Sequence, residues 1–248
     1  MTGRDIVHGH SLYPGLTQWL LACFLLCCVL PASALQPDSV QASYDVYKGG
    51  LKVGQIEETY TRNNDHYTLE SVTTPSGLLA MFRPEKIVVR SSGLIGKRGL
   101  QPLLFSHQRG QDMSKQNRAE LDWGNRELTL IHHGQRETVT LPDGTQDRLS
   151  AMYQFMFLPL QKAAKLDFSM TNGSKLDDYH YSIIHNQRIK VPAGEFDTMY
   201  LFSDAKAGET RSEIWLSTQH NNLPCKMIIT DADGDQLIQV LSRFEIKP

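Results

Sequence analysis

Apolar and polar residues alternate along most of this chain, which is the pattern of half-buried β-strands. The alternation starts near residue 43 and returns in short runs bounded by Gly, Asn or Asp, as in an antiparallel meander. The predicted strands are residues 43–47, 51–61, 66–72, 85–92, 103–108, 118–123, 127–132, 165–171, 178–184, 186–191, 196–203, 211–216, 225–230 and 236–246. Strands do not alternate with long helices, so the sheet is predicted to be antiparallel.

A helical period replaces the alternation in the middle of the chain. Residues 145–147 (TQD) can cap a helix, and Pro159 marks its end. Five apolar residues between them recur at helical spacing: Leu149, Met152, Tyr153, Met156 and Phe157. Residues 75–82 (PSGLLAMF) predict a second, shorter helix. The predicted fold is therefore mostly β, a curved antiparallel sheet forming a half-barrel or open barrel, with one main helix and a short second helix against it.

The N-terminal region carries a different signal. An apolar run at residues 20–30 (LLACFLLCCVL) is shorter than the about 20 residues that span a bilayer, and it is followed by Pro31 and the small residues 32–34 (ASA). We predict a signal peptide over residues 1–34, cleaved after Ala34, with export to the periplasm. Residues 35–248 would then form a single β-rich domain without a permanent transmembrane segment. A lipoprotein signal at residues 20–23 (LLAC) is one alternative. A different translation start is another, because Arg4 is offset by Asp5 and the N-terminal region therefore lacks the usual positive charge.

Composition and cysteine count narrow the class of protein. The chain is 40% hydrophobic and 21% charged with a formal net charge of −2, as in an ordinary globular protein. No basic field indicates nucleic acid as a partner. Cleavage after Ala34 would leave Cys225 alone, without a disulfide partner. Cys225 alternates with Met227 and Ile229, which predicts a buried, inert thiol.

Candidate metal and catalytic residues are few. The DADGD stretch at residues 231–235 resembles a calcium loop, but its Gly falls at position 4 and Ser242 occupies position 12, where a calcium loop has Glu. Aspartate followed by glycine between two strands predicts a hairpin turn instead. His132 and His133 should point to opposite faces of a strand unless the chain kinks there. No GxSxG, SxxK or P-loop motif occurs, so we predict no metal and no cofactor, and an enzyme is the least favoured class.

Several turn and strand-edge segments together resemble a known family. They are residues 44–54 (YDVYKGGLKVG), 141–150 (LPDGTQDRLS), 191–198 (VPAGEFDT), 214–216 (IWL) and 223–224 (LP). This pattern resembles the bacterial exported family of domain of unknown function 3108. The C-terminal order of Trp, strand, Leu-Pro, strand, Asp-Gly turn and strand is distantly similar to LolA/LolB-type periplasmic lipoprotein carriers. That likeness implies an antiparallel sheet bent around an apolar cavity and covered by short helices.

These observations together predict a binding protein. We expect a non-enzymatic periplasmic protein that binds an apolar or lipid-like envelope component, such as a lipid or an acylated ligand, in a cavity lined by the sheet. Its predicted ligand-binding residues are the helical stripe Leu149, Met152, Tyr153, Met156 and Phe157. The alternative is an envelope assembly or structural factor that binds another protein through an apolar patch or a sheet edge.

Overall fold

A computed structural model describes residues 36–112, 116–206 and 208–248 of the chain. The strands of the first half are β1 Ser39–Lys48, β2 Leu51–Asn63, β3 His66–Pro75, β4 Ile87–Gly96, β5 Gly99–Arg109, β6 Asn117–Asp122, β7 Glu127–His132 and β8 Gln135–Thr140. The strands of the second half are β9 Gln146–Asp147, β10 Lys165–Thr171, β11 Leu176–Val191, β12 Gly194–Ser203, β13 Arg211–Ser217, β14 Pro224–Thr230 and β15 Gln236–Lys247. Two α-helices, α1 Gly77–Phe82 and α2 Ser150–Gln154, and two 3₁₀ turns, Phe155–Phe157 and Leu160–Lys162, complete the fold.

All described strands belong to one sheet. Their order is β8-β7-β6-β5-β4-β3-β2-β1-β15-β14-β13-β12-β11-β10-β9. Neighbouring strands are antiparallel throughout, except that β9 runs parallel to β10. The predicted antiparallel, mostly β fold is confirmed. Because chain neighbours are nearly always sheet neighbours, short turns suffice to connect the strands.

The sheet curls so that its two halves face each other, yet its edges do not close. The side chain of Gln146 on β9 donates a hydrogen bond to the carbonyl of Leu100 on β5, at 3.0 Å, although these strands lie near opposite ends of the sheet order. A Cβ added to Gly173, in the turn after β10, would lie 3.0 Å from the backbone nitrogen of Arg118 on β6. The concave face therefore encloses the core.

Alternate residues of the strands point into this concave space. One core cluster is built around Tyr44, Tyr60, Tyr67 and Phe105, and a second lies around Met199, Leu201, Ile214 and Leu216. Met152 of α2 packs against both clusters. Helix α2 thus lies between the two halves of the curled sheet, where the helical stripe of the sequence predicted a covering or plugging helix.

Helix α1 forms where residues 75–82 predict it but covers little of the sheet. None of its residues is buried, and Leu78, Met81 and Phe82 are 68%, 77% and 80% exposed. The helix is one and a half turns long and lies beside β2, to which the backbone N–H of Ser76 donates a hydrogen bond at Val53. Its apolar residues are therefore available at the surface.

A bulge between β4 and β5 requires a glycine. The register shifts between Ser92 and Gly93, and a Cβ at Gly93 would lie 2.1 Å from the carbonyl oxygen of Gln101. Such a contact would force backbone atoms apart, because no flexible side chain is available to move.

We expect Gly93→Ala to lower the free energy of unfolding by about 1–3 kcal/mol or more. Gly96→Ala on the same strand is the matched control, since its nearest heavy atom would be 4.0 Å away. Urea denaturation of both variants gives the comparison. Equal denaturation midpoints would show that the backbone at Gly93 yields to a methyl group without cost.

Candidate ligand-binding cavity

A cavity of about 350 Å³ lies on the concave face beside the start of α2. Its volume falls at the lower end of the range of about 300–1,000 Å³ typical of small-molecule sites. The apolar lining residues are Val46, Ile56, Ile87, Val89, Leu149, Met152, Pro224, Met227, Ile229 and Leu237. The polar lining residues are Tyr44, Glu58, Ser71, Thr73, His107, Arg109, Arg148, Lys226 and Gln239. Strands β1–β5 form one wall, and β14 and β15 form the other.

The predicted ligand-binding stripe divides into two groups in the structure. Leu149 and Met152 line the cavity. Tyr153 is 1% exposed and stacks on Tyr60 with ring centres 5.7 Å apart, so it belongs to the packed core. Met156 and Phe157 are half-buried against the same core and do not line this cavity. The role of the stripe in binding a ligand stays a prediction, with Leu149 and Met152 as its best-placed members.

The start of α2 is fixed by a buried carboxylate, which positions Leu149 and Met152. Oδ1 of Asp147 accepts hydrogen bonds from the backbone N–H groups of Leu149 and Ser150, at 2.9 and 2.8 Å. In return, Oγ of Ser150 accepts the backbone N–H of Asp147 at 2.9 Å. This reciprocal pair satisfies N–H groups that a helix start otherwise leaves unpaired. Asp147, within the predicted capping residues 145–147, thus bonds the chain that enters α2, two residues before the N-cap residue Leu149.

Asp147 also ties the helix to the opposite half of the sheet. Its Oδ2 accepts a hydrogen bond from the hydroxyl of Ser91 on β4, and the hydroxyl of Tyr67 lies 3.0 Å from Ser91. Burial raises the pKa of the Asp147 carboxyl to about 6, and the hydrogen bonds it accepts oppose that rise. The carboxylate is thus a structural link between α2 and β4.

A second buried carboxyl group lies in the wall of the cavity. Glu58 on β2 accepts hydrogen bonds from the hydroxyls of Ser71 and Tyr153, at 3.0 and 3.2 Å. Burial raises its pKa to about 7, so both protonation states are populated near neutral pH. Its neighbour Glu57 points to the outer face and accepts a hydrogen bond from Ser43. The two adjacent carboxylates point to opposite faces of the sheet, as neighbouring residues of a strand do.

Basic groups converge on the same wall. Arg148 lines the cavity, is exposed within it, and has a pKa lowered by the surrounding protein. His107 on β5 has its pKa lowered first by burial and then by the charges of Arg148 and Arg109. The fourth basic group, the Lys226 ammonium, is engaged elsewhere, 4.7 Å from the ring centre of Trp215. The cavity therefore combines apolar walls with a positively charged region, which are means to hold and orient a ligand.

The sequence pattern did not lead us to predict this polar cluster. Glu58 shares its strand face with Ile56 and Tyr60, both inward-facing, so the period of two along β2 marks Glu58 as an inward carboxylate. No comparable signal marks Arg148, because it stands in the turn between β9 and α2. Its neighbours on β2 and β5 are distant in sequence and are brought to it only by the curl of the sheet.

A second cavity of about 340 Å³ lies near the other end of α2. The side chain of Gln154 bridges its rim, accepting the backbone N–H of Leu100 and donating to the carbonyl of Arg98, both at 2.7 Å. Much of this lining is the turn between β4 and β5, together with Trp123, Phe155 and Phe168. The predicted ligand-binding residues do not line it, so the first cavity is the better candidate.

The residues considered for metal binding have other uses in the structure. Asp231 turns the hairpin between β14 and β15, with Oδ1 accepting the backbone N–H groups of Asp233 and Asp235 at 3.1 and 2.9 Å. The predicted hairpin turn is confirmed. In the described ranges, no three His, Cys, Asp or Glu side chains are grouped to hold a metal ion.

The two adjacent histidines depart from the expected geometry. Their rings lie 3.9 Å apart because His133 adopts a left-handed backbone with φ of 49° at the turn after β7. Nδ1 of His132 is bonded to the side chain of Asn117 at 2.7 Å. The pair therefore shares one side of the turn, with one ring already engaged.

Cys225 is fully buried on β14. Burial raises the pKa of its thiol to about 12, which keeps it protonated and unreactive at neutral pH. The predicted buried thiol is confirmed.

Comparison with known proteins gives a family and a fold. A solved structure, titled as the crystal structure of a beta-barrel-like protein of domain of unknown function DUF1849 from Brucella abortus, is similar to this chain with a TM-score of 0.54. It is 10% identical, and the match covers 86% of this chain and 99% of that chain. At this identity the likeness supports the fold alone. Among curated protein sequences, none matches this chain significantly. The family profile of proteins of unknown function DUF3108 matches residues 43–240, so the chain belongs to the DUF3108 family.

Proposed function

We propose that this protein is a non-enzymatic binding protein of the bacterial periplasm that holds an apolar or lipid-like envelope component under its curled sheet. The observation that carries the proposal is the cavity of about 350 Å³, about half of whose lining residues are apolar, including Met152 and Met227. Methionine is an adaptable lining residue, since its unbranched thioether side chain fits ligands of varied shape. The likeness of the C-terminal strand pattern to LolA/LolB-type carriers supports the same function.

Export belongs to the proposal as well. The apolar run at residues 20–30 and the small residues at 32–34 support a cleaved signal peptide, but they lie outside the described residues. Within the part of the chain that the structure describes, no helix has the length and apolarity needed to cross a membrane. Sequencing the N-terminus of protein recovered from the periplasm should give a start at Leu35. A start before Leu20 would contradict export by this signal.

A second candidate function is favoured by helix α1. Leu78, Met81 and Phe82 form an exposed apolar surface on a short helix, as a protein-docking surface would require. On this alternative, the protein is an envelope assembly or structural factor. Native mass spectrometry of protein purified from the periplasm distinguishes the two functions. A bound lipid mass supports the carrier, whereas a bare protein mass together with a co-purified protein supports the assembly factor.

Blocking the cavity should weaken apolar binding with little loss of stability. We expect Met152→Trp to reduce binding of an environment-sensitive lipid dye about tenfold or more, because the larger ring would occupy space that the ligand needs. Overpacking a filled core would instead cost about 1–3 kcal/mol. Dye titration and urea denaturation of the same protein give both quantities.

Met81→Trp is the matched control for the blocked cavity. Met81 is 77% exposed on α1, so the same substitution there leaves the cavity unchanged and should preserve dye binding. Unchanged dye binding in Met152→Trp, with a severe loss of stability, would show a packed core at this position. The carrier function would then be abandoned in favour of the assembly factor.

A further inference from the structure

Arg148 is a cation without a partner inside a cavity. Its guanidinium makes no hydrogen bond and no ion pair with any residue that the structure describes, although its backbone N–H is bonded to Thr171 at 3.0 Å. The side chain is exposed to the cavity, yet surrounding protein desolvates it enough to lower its pKa. Because the guanidinium has no ion pair, an anion that enters the cavity would gain a charge-assisted contact there.

The groups that face Arg148 add one further permanent cation, Arg109, and a histidine, His107, whose lowered pKa favours its neutral form. His107 and Arg109 lie on the same wall, and Arg109 likewise has no ion pair in the described chain. Glu58 is the acidic residue of the lining, but its two oxygens already accept hydroxyl groups from Ser71 and Tyr153. Asp147 is engaged by its own turn and by Ser91. Neither carboxylate forms an ion pair with the guanidinium, although the charges of both oppose the lowering of its pKa.

The rest of the cavity suits an alkyl chain. Met227 and Ile229 line it from β14, which lies six strands along the sheet from β5, and Met152 adds a flexible apolar side chain from α2. The basic residues of β5 and the aliphatic residues of β14 thus lie on different parts of the curled sheet, although Ile87 and Val89 also pair with Arg109 and His107 on the basic side. A ligand that contacts both needs one anionic end and one apolar end. A volume of about 350 Å³ is at the small end of ligand sites, which favours one chain over two.

We infer that the cavity recognises a single-chain amphipathic anion, with a carboxylate or phosphate head group paired by Arg148 and an alkyl tail against Met152 and Met227. This inference rests on the proposed function and adds the chemical class of the ligand. Arg148 would act as the specificity-determining residue, because the apolar walls bind the tail whether the head is charged or neutral.

Isothermal titration calorimetry of the purified, delipidated protein tests this with four solutes below their micelle concentrations. They are dodecanoate, dodecyl phosphate, dodecan-1-ol and inorganic phosphate. We expect the two amphipathic anions to bind about tenfold more tightly than dodecan-1-ol, as one charge-assisted hydrogen-bonded contact provides. Inorganic phosphate alone should bind far more weakly than dodecyl phosphate, because it lacks the tail.

Arg148→Met should remove the preference for anions, measured as the ratio of the dodecanoate and dodecan-1-ol affinities of the same variant. An unchanged far-ultraviolet circular dichroism spectrum shows that the variant is folded. Arg188→Met is the matched control, and this variant should keep the preference for anions. Arg188 is exposed on β11, and its guanidinium pairs with Asp197 of β12. An anion preference that survives Arg148→Met would overturn the inference and leave the proposed function standing. If the wild-type protein bound the anions and dodecan-1-ol with equal affinity, that result alone would overturn the inference.

Two further outcomes would show that the ligand is a free anion or that the protein binds no apolar ligand. Inorganic phosphate that binds as tightly as dodecyl phosphate would replace the amphipathic ligand with a free anion and overturn the inference. A wild-type protein that binds none of the three dodecyl compounds would overturn the proposed function itself, and the inference with it.

Discussion

Tyr153→Ala should lower the free energy of unfolding by about 3–5 kcal/mol, as truncation of large buried aromatic residues does. Tyr153 is 1% exposed, stacks on Tyr60 and donates a hydrogen bond to Glu58. Its removal would leave a void between α2 and the sheet. The Oε2 atom of Glu58 would also lose the hydroxyl group that donates to it. Met152→Ala, one residue away, should cost less, because Met152 faces space that is already empty.

Urea denaturation of the two alanine variants measures this difference. Tyr153→Phe is the control that keeps the ring and removes only the hydroxyl, for which we expect a loss of about 0.5–1.5 kcal/mol. Equal losses in Tyr153→Ala and Met152→Ala would mean that the structure has divided the helical stripe wrongly between core and cavity.

Glu58→Gln should stabilise the protein at alkaline pH by up to about 3 kcal/mol. Burial raises the pKa of this carboxyl from 4.5 to about 7 on folding. Between these values the folded chain binds more protons than the unfolded chain, so the free energy of unfolding falls as pH rises, by about 1.4 kcal/mol per unit at most. Asp147, whose pKa rises from 3.8 to about 6, contributes with the same sign at lower pH. A glutamine stays neutral and therefore removes the contribution of Glu58.

Denaturation at intervals from pH 4 to pH 9 tests the sign as well as the size. The wild-type protein should lose stability most steeply between pH 4.5 and pH 7, and Glu58→Gln should flatten that part of the curve. Glu57→Gln, on the outer face of the same strand, should follow the wild-type curve. A Glu58→Gln protein that is less stable than wild type at pH 8 would show that the ionised carboxylate stabilises the fold.

The alternation of apolar and polar residues was enough to predict the sheet. The strands that it missed or divided have local explanations. Strand β8 was missed because Gln135–Thr140 is polar and largely exposed, as suits the edge of a sheet. The predicted strands 178–184 and 186–191 are one strand, β11, interrupted by a bulge near Asn186, whose backbone is left-handed with φ of 59°. In the sequence such a residue looks like a turn between two strands. Only the structure shows that pairing with the partner strand resumes beyond it.

The candidate site was predictable only in part. Helical spacing identified the stripe that contains Leu149 and Met152, but spacing alone does not distinguish a side chain that fills a core from one that faces a cavity. That distinction depends on how far the sheet curls around α2, which is set by contacts such as Gln146 to Leu100 across the open edges. The cluster of Glu58, His107 and Arg148 depends on the same curl.

Methyl NMR spectroscopy of the methionines tests the central claim, that apolar ligands bind between α2 and β14, most directly. The structure places Met152 and Met227 in the cavity wall, Met199 in the packed core and Met81 on exposed α1. Titration of ¹³C-methyl-methionine protein with dodecan-1-ol should shift the signals of Met152 and Met227 and leave those of Met199 and Met81 in place. Shifts confined to Met81, with Met152 and Met227 unchanged at saturation, would contradict the account and place apolar binding on the surface of α1.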